Sequence, residues 1–191
     1  MTEFLIALGS NLPVDDSGPV STLQNALRQL DSVSGVSVDR VSAWYRTPAW
    51  PAGSGPDFVN GAAALRSAKS PEEILQELHG VEKSLGRQRK IRWGARTCDL
   101  DLLGAESRVL PDAATMRRWI EAGPHKDRIP ETLMVPHPRI QERAFVLIPL
   151  ADIAPGWVHP VLNFSVIEML EAIPDADLAD ISRLDVASSI W

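Results

Sequence analysis

The apolar positions along the chain first run continuously and then recur at helical spacing, which predicts a strand followed by a helix. Every residue from Phe4 to Leu8 is apolar, as is typical of a strand covered on both faces. Leu23, Leu27 and Leu30 then repeat at the interval of one helix face, and Gly35 marks the exit from that helix. We expect the first strand to lie centrally in a sheet.

Two further extended segments are predicted before residue 67. Residues 36–46 are rich in β-branched and aromatic side chains, and a change of phase near Arg40 indicates a bulge or bend. Residues 48–56 contain prolines and glycines at the density of a loop. Residues 57–66 alternate cleanly, so Phe58 and Asn60 share one face of a strand.

The second predicted helix has start and stop signals at both ends. Ser70, Pro71 and Glu73 form a capping box with proline at the first helical position, and Gly86 is the expected residue after the helix. Its core-facing positions are Ile74, Leu78, Val81 and Leu85. Glu82 lies in the last turn, where the helix dipole disfavours a carboxylate, which suggests a compensating cation or ligand.

The C-terminal half is less regular. An excursion at about residues 104–135 contains a short helix from Asp112 to Ile120 and a polar loop whose role the sequence does not indicate. An apolar segment carrying Arg143 and Phe145 should end or kink at Pro149, and a last helix should follow Asn163. We expect one domain over residues 1–191, with a polar C-terminal tail at about 174–191.

Composition and charge narrow the function classes. A chain of 191 residues, 45% hydrophobic and 23% charged, fits one globular domain. The net charge of −6 argues against broad adhesion to nucleic acid or an anionic membrane, so any anion site must be local. A single cysteine, Cys98, is compatible with a reducing cytosol, and no segment reaches the ~20 apolar residues that span a bilayer. We therefore expect a soluble cytoplasmic protein.

A local basic run precedes two aspartates. Residues 83–96 contain six basic residues and no acid, and Asp99 and Asp101 follow on the same face of a strand predicted at about 97–103. Such a pattern suggests a polyphosphate held by arginines and Mg²⁺, since the chain lacks a glycine-rich phosphate loop. A solvated basic loop beside two surface aspartates is the alternative explanation.

Five short motifs follow one another along the chain: ALGSN at 7–11, YRTPAW at 45–50, PDFVN at 56–60, RWGARTCDLDLL at 92–103 and VPHPR at 135–139. In this order, over about residues 3 to 162, the chain resembles the 6-hydroxymethyl-7,8-dihydropterin pyrophosphokinases. The resemblance implies an α+β fold with a ferredoxin-like core, in which helices flank a mostly antiparallel sheet. It also implies an enzyme of folate synthesis that transfers pyrophosphate from ATP to the pterin hydroxymethyl group and releases AMP.

The resemblance further implies roles for individual residues, with Asp99 and Asp101 binding two Mg²⁺ ions. The implied catalytic residues are Asp99, Asp101, Arg87 and Arg92. The implied ATP-binding residues are Glu82, Arg87, Arg89, Arg92, Trp93, Arg96, His137 and Arg143. The implied pterin-binding residues are Gly9, Thr47, Pro48, Trp50, Phe58, Asn60, Trp93, Asp99 and Phe145. Arg92 and Trp93 would lie on a loop that closes over the substrates, and a general-base role for Asp99 stays open.

Two other function classes deserve comparison. A nucleic-acid-binding module is disfavoured because Asp99 and Asp101 would repel a phosphate backbone and the acidic chain offers no extended basic footprint. A phosphotransfer enzyme with another hydroxymethyl acceptor stays open, because only Phe58, Asn60, Phe145 and the 45–50 loop bear on the acceptor. We expect ATP and the pterin as small-molecule substrates, no nucleic-acid or membrane partner, and a monomer.

Overall fold

Strands and helices follow one another along the chain in a βαβββαβ succession, and the C-terminal part is mainly helical. The computed structural model describes residues 1–12, 18–49, 55–86, 97–123 and 130–186. In chain order, the elements are β1 (Thr2–Ser10), α1 (Gly18–Ser32), β2 (Val36–Val41), β3 (Tyr45–Thr47), β4 (Phe58–Ser67), α2 (Pro71–Ser84), β5 (Asp99–Ala105), α3 (Ala113–Glu121), a 3₁₀ turn (Ile140–Glu142), α4 (Ala144–Ile153), α5 (Val166–Glu171), α6 (Asp175–Leu178) and β6 (Ser182–Arg183).

The described strands form one sheet in the order β5-β1-β4-β3-β6, with β2 also paired to β4. All of these pairings are antiparallel. Strand β1 lies between β4 and β5, as its continuous apolar run predicts. The predicted α+β class, with a ferredoxin-like core and a mostly antiparallel sheet between helices, is confirmed.

The extended segment predicted at 36–46 is divided into two strands along the same edge of β4. The register shifts between Val38 and Arg40, which confirms the expected bulge. The break between the strands has a physical cause, because Ser42 bonds Ala62 through its backbone N–H and its hydroxyl, each at 2.9 Å. Trp44 packs over Gly61, where a Cβ atom would lie 2.5 Å from its ring, so this position requires glycine for close approach.

Two apolar clusters cover the two faces of the sheet. The first lies against α1 and α2 and includes Phe4, Ile6, Leu8, Leu23, Leu27, Leu30, Leu65, Ile74, Leu78, Leu100 and Leu102. The second lies against α4 and α5 and includes Leu5, Ala62, Ala64, Leu103, Val146, Leu147, Leu150, Val166 and Met169. The alternation predicted for 57–66 is therefore confirmed, because odd-numbered Leu65 and even-numbered Ala64 belong to opposite clusters.

The predicted ends of α2 and α3 agree with the structure. The Ser70 hydroxyl accepts the Glu73 N–H, the Glu73 carboxylate accepts the Ser70 N–H, and Gly86 adopts the left-handed φ of 81°. Asp112 caps α3 by accepting the Thr115 N–H at 2.9 Å. Helix α3 packs through a third apolar cluster formed by Met116, Met134 and Val161, which joins the excursion at 104–135 to the turn before α5.

Two C-terminal segments differ from what the sequence predicted. Helix α4 continues through Pro149 to Ile153, so Pro149 does not end this segment. Pro149 itself is buried. Part of the polar segment at 174–186 joins the sheet, since β6 pairs with β3 and the Leu184 N–H donates to the Trp44 carbonyl at 2.8 Å. Among the described residues, every helix is too short or too polar to cross a membrane.

Candidate active site

One row of paired residues crosses three strands and brings predicted site residues together. Asp99 on β5 pairs with Gly9 on β1, and Gly9 pairs with Asn60 on β4. Directly paired residues point to the same side of a sheet, so the Asp99 carboxylate and the Asn60 amide lie on one face. Asp101 is in the next row on that face, paired with Ala7, whose other partner is Ala62.

Gly9 separates the carboxylate from the amide by a position without a side chain. A Cβ atom at residue 9 would lie 3.0 Å from Asn60 Oδ1 and 4.0 Å from Asp99 Cβ. The first distance is closer than ordinary van der Waals contact, so a larger residue would press against the amide. The need for glycine here comes from close approach to Asn60.

The Asn60 amide is held by a buried hydroxyl. Asn60 Nδ2 donates to Thr47 Oγ1 at 2.7 Å, and both side chains are buried. With the amide nitrogen turned to Thr47, Oδ1 lies on the Gly9 side. Pro48, the next predicted site residue on this segment, is exposed. This arrangement presents a fixed hydrogen-bond acceptor at the end of the Asp99–Gly9–Asn60 row.

Asp99 and Asp101 are both partly exposed on the edge strand β5. Asp101 Oδ2 lies 3.2 Å from Arg143 Nη1, and this ion pair joins β5 to the start of α4. Among the described residues, no group of three or more His, Cys, Asp or Glu side chains is arranged to hold a metal ion. Two carboxylates on one face nevertheless suit Mg²⁺, which is commonly held by one or two carboxylates together with substrate phosphates.

Glu82 supports β5 from behind. Its side chain is only 2% exposed, and Oε1 accepts the Leu100 N–H at 2.9 Å. Leu100 stands between Asp99 and Asp101, so the carboxylate at the end of α2 bonds the backbone that carries both aspartates. The sequence led us to expect a compensating cation or ligand for Glu82; the Leu100 N–H is a backbone donor, and the expected cation or ligand stays a prediction.

His137 approaches the same place through a bulge in β5. The pairing of β1 with β5 shifts register next to Leu103, whose carbonyl accepts the His137 N–H at 2.9 Å. His137 Nδ1 accepts the Arg139 N–H at 3.1 Å, which leaves the imidazole proton on Nε2. Burial, followed by the positive charge of Arg143, lowers the pKa of His137 to about 4, although Asp101 opposes this shift.

The two predicted aromatic walls are Phe58 and Phe145. Phe58 is partly buried at the start of β4, whereas Phe145 is 40% exposed on the first turn of α4. Phe145 is therefore not a core residue, and its ring centroid lies 5.8 Å from the Arg143 guanidinium carbon. No ring contact joins Phe58 to Phe145 in the described part of the chain, which leaves their stacking roles as predictions.

The structure also shows partnerships that the sequence did not predict. Asp152 on α4 accepts the Tyr45 hydroxyl at 3.0 Å and the Ala43 N–H at 3.1 Å, which ties α4 to the segment before Thr47. Burial, then the hydrogen bond to Asp152, raises the pKa of Tyr45. Six predicted site residues lie outside the described residues: Trp50, Arg87, Arg89, Arg92, Trp93 and Arg96.

The comparison with protein families is decisive. A family model described as 7,8-dihydro-6-hydroxymethylpterin-pyrophosphokinase (HPPK) matches residues 5–155. The chain belongs to this family. All five motifs of the predicted resemblance fall within the matched residues, and the chain is therefore a member of a family of pyrophosphokinase enzymes.

Two relatives are each named 2-amino-4-hydroxy-6-hydroxymethyldihydropteridine pyrophosphokinase. The protein from Synechocystis sp. is 39% identical over 170 residues, which cover 88% of this chain and 75% of the relative. The protein from Methylorubrum extorquens is 35% identical over 158 residues, which cover 83% of this chain and 86% of the relative. Similarity to these HPPK relatives thus extends over most of each chain.

Solved structures support the fold independently. A chain described as HPPK-DHPS in complex with substrates has a TM-score of 0.68 at 13% identity, covering 97% of this chain and 46% of that chain. A Plasmodium falciparum HPPK-DHPS triple mutant also has a TM-score of 0.68, at 14% identity, covering 97% of this chain and 45% of that chain. This chain spans less than half the length of both, and at these identities the likeness shows the HPPK fold alone.

Proposed function

We propose that this chain transfers pyrophosphate from ATP to the hydroxymethyl group of 6-hydroxymethyl-7,8-dihydropterin, giving AMP and the pterin diphosphate in folate synthesis. Membership of the HPPK family supports the reaction class. The observation that carries the proposal for this chain is the register of Asp99, Gly9 and Asn60 on neighbouring strands. The Asp99 carboxylate suits a metal–phosphate complex and the Asn60 amide suits a pterin, and the strand between them carries only a glycine in that row.

Asp99 and Asp101 are the proposed magnesium ligands. Their carboxylates share a face and are partly exposed, so a hydrated cation accompanied by phosphate oxygens can reach them. The family resemblance leads us to expect two ions. When bound, Mg²⁺ neutralises polyphosphate charge and orients the β-phosphorus for attack.

The acceptor subsite is proposed around Asn60. With Nδ2 engaged by Thr47, Asn60 Oδ1 is oriented to accept from a pterin N–H group. Phe58 and Phe145 would stack on the faces of the pterin, consistent with the exposure of Phe145. Gly9, Thr47, Pro48, Trp50 and Trp93 complete the proposed wall.

The proposed reaction balances without a covalent enzyme intermediate. The hydroxymethyl oxygen attacks the β-phosphorus while the bond from that phosphorus to the oxygen bridging the α-phosphate breaks. The bonding pair leaves with AMP, and the hydroxyl proton passes to solvent. Asp99, the carboxylate in the same row as Asn60, positions the hydroxymethyl group, and the acceleration comes chiefly from positioning and electrostatics.

The triphosphate is proposed to bind across the basic run and the start of α4. Arg87 and Arg92 are the arginines we assign to the transferred phosphates. The other proposed ATP-binding residues are Glu82, Arg89, Trp93, Arg96, His137 and Arg143. Proximity of Arg143 to Asp101, 3.2 Å between Nη1 and Oδ2, supports its inclusion because metal and phosphate must meet beside that carboxylate. The Nε2–H of His137 would donate to a phosphate or ribose oxygen.

The domain, association and location assignments also stay proposals. We propose one pyrophosphokinase domain over residues 1–191, with an insertion at about 104–135 and a polar segment from about 174, acting as a cytoplasmic monomer. One sheet flanked by two apolar clusters supports a single folding unit. Light scattering of the purified protein would contradict the monomer if the mass doubled.

Product analysis tests the reaction directly. Purified protein with Mg²⁺, ATP and 6-hydroxymethyl-7,8-dihydropterin should release AMP in step with pterin diphosphate, whereas ADP as the main product would contradict pyrophosphate transfer. Asp101→Asn should lower AMP formation by about two orders of magnitude or more, because it removes a charged metal ligand. Asp177→Asn, at an exposed carboxylate on α6, is the matched control and should retain wild-type turnover.

A further inference from the structure

Asp101 already has a cation beside it before any ligand binds. Arg143 Nη1 lies 3.2 Å from Asp101 Oδ2, and Arg143 Cζ lies 5.8 Å from the centroid of the Phe145 ring. Arg143 therefore contacts both the proposed metal carboxylate and the proposed acceptor aromatic. A single side chain links the two subsites.

The pair is built so that its side chains can separate while its backbone stays fixed. Arg143 donates its N–H to the Ile140 carbonyl at 3.3 Å, and its own carbonyl accepts from Val146 at 3.0 Å and Leu147 at 2.9 Å. The side chains of Arg143 and Asp101 are 24% and 39% exposed, so water screens the ion pair and solutes can reach the carboxylate. Separating Arg143 from Asp101 thus requires rotation of a long side chain from an anchored Cα.

A guanidinium and a divalent cation compete for the same carboxylate. Arg143 occupies one oxygen of Asp101, and its positive charge also repels a metal ion approaching the other. A nucleotide reverses this balance, because its phosphates offer the guanidinium bidentate oxygen acceptors. The same residue should therefore weaken metal binding when the protein is alone and strengthen it when the nucleotide is present.

We propose that Arg143 is the resting counter-ion of Asp101 and transfers from this carboxylate to a phosphate oxygen when the nucleotide binds with its divalent cation. The inference rests on the proposed function, since it assumes that Asp101 is a metal ligand. It implies that cation and nucleotide load together. It also implies that loading removes the guanidinium from its resting position beside Phe145, which links occupancy of the nucleotide subsite to the acceptor wall.

Manganese binding measured by electron paramagnetic resonance tests the proposal without turnover. Free Mn²⁺ is titrated against wild-type protein, Arg143→Gln and Arg139→Gln, first alone and then with a non-hydrolysable ATP analogue. Arg139→Gln is the matched control because it removes the same charge nearby, while Arg139 Nε pairs with Glu142 Oε2 at 3.0 Å. Asp101→Asn identifies the signal that belongs to the proposed metal site.

The expected result is a reversal of sign. Without nucleotide, Arg143→Gln should bind Mn²⁺ roughly threefold to tenfold more tightly than wild type, and Arg139→Gln should change affinity less than about twofold. With the analogue, Arg143→Gln should bind the Mn²⁺ complex more weakly than wild type. Tighter binding cannot arise from misfolding, so the first result supports the proposal even if the variant is less stable.

The remaining outcomes separate this proposal from the proposed function. Unchanged or weaker Mn²⁺ binding by Arg143→Gln alone overturns the counter-ion role, as does an absence of binding to either protein. An equal gain in Arg139→Gln also overturns it, because the effect would then come from general charge. Mn²⁺ affinity that Asp101→Asn leaves unchanged would refute Asp101 as a metal ligand, and the counter-ion role would fall with it.

Discussion

His159 provides the sharpest test of how burial controls stability. The side chain is fully buried in the turn before α5, where Nδ1 accepts the N–H groups of Val161 and Leu162, both at 3.2 Å. Its Nε2 has no hydrogen-bond partner among the described residues. Burial lowers the pKa of His159 from 6.5 to about 4. Protonating Nδ1 would break both backbone bonds and leave a buried cation without compensation.

The direction of the pH effect follows from this shift. Because the folded-state pKa lies below the unfolded-state value, the unfolded chain binds the proton more readily between about pH 6.5 and pH 4. The stabilisation is fully present above pH 6.5 and is lost as the pH falls through this window. Between pH 7.5 and pH 5.0, linkage from these two pKa values gives a loss of about 2 kcal/mol attributable to His159.

Urea unfolding at the two pH values measures this loss. His159→Asn is the informative variant, because its Oδ1 can accept the Val161 and Leu162 N–H groups but does not titrate. His137 also has a pKa lowered to about 4, but its contribution is common to both proteins and cancels in the comparison. The wild type should lose about 2 kcal/mol more than His159→Asn on acidification. Equal losses in the two proteins would refute the reasoning, whatever their difference at pH 7.5.

Three further predictions concern the site. Gly9→Ala should raise the KM for the pterin roughly tenfold, with a smaller effect on the KM for ATP, because the new Cβ would lie 3.0 Å from Asn60 Oδ1. Equal effects on both KM values in steady-state kinetics would contradict this. Thr47→Val removes the 2.7 Å hydrogen bond from Asn60 and should weaken pterin binding by about 1 kcal/mol in calorimetry. Thr47→Ser keeps the hydroxyl and should bind the pterin nearly as tightly as the wild type. Glu82→Leu leaves the Leu100 N–H without its acceptor and should lower the free energy of unfolding by about 1–3 kcal/mol in urea titrations. Glu82→Gln, which keeps an acceptor oxygen, should lower it less. A larger loss in Glu82→Gln would show that the charge of Glu82 matters more than the hydrogen bond.

Local patterns predicted elements well where the physical signal was also local. The continuous run at Phe4–Leu8 predicted a central strand, and the Ser70–Glu73 box and Gly86 predicted both ends of α2, because caps depend on residues within one turn. The division of residues 36–46 was not predicted, since it depends on Ser42 bonding Ala62, twenty positions away. Helix α4 passes Pro149 for a similar reason, because packing in the second apolar cluster favours the helix there.

The sequence proposed a set of candidate site residues, but it did not predict how they are arranged in space. Strand alternation indicated that Asp99 and Asp101 share a face, and the resemblance supplied Gly9 and Asn60 as neighbours in function. Their alignment in one row depends on the register of three strands, which no single segment encodes. The Asp101–Arg143 pair joins residues 42 positions apart, and its geometry follows from the placement of α4.

The short strand β6 has a consequence for how this protein can be handled. By pairing with Tyr45 and Arg46, it covers the outer backbone edge of β3, the strand that also supplies Thr47 to the Asn60 amide. An uncovered strand edge is a template for pairing with other chains. Removing residues from Ser182 onward would therefore create a self-association surface beside the proposed acceptor subsite. We expect a shortened protein to aggregate before the proposed catalytic residues are themselves disturbed.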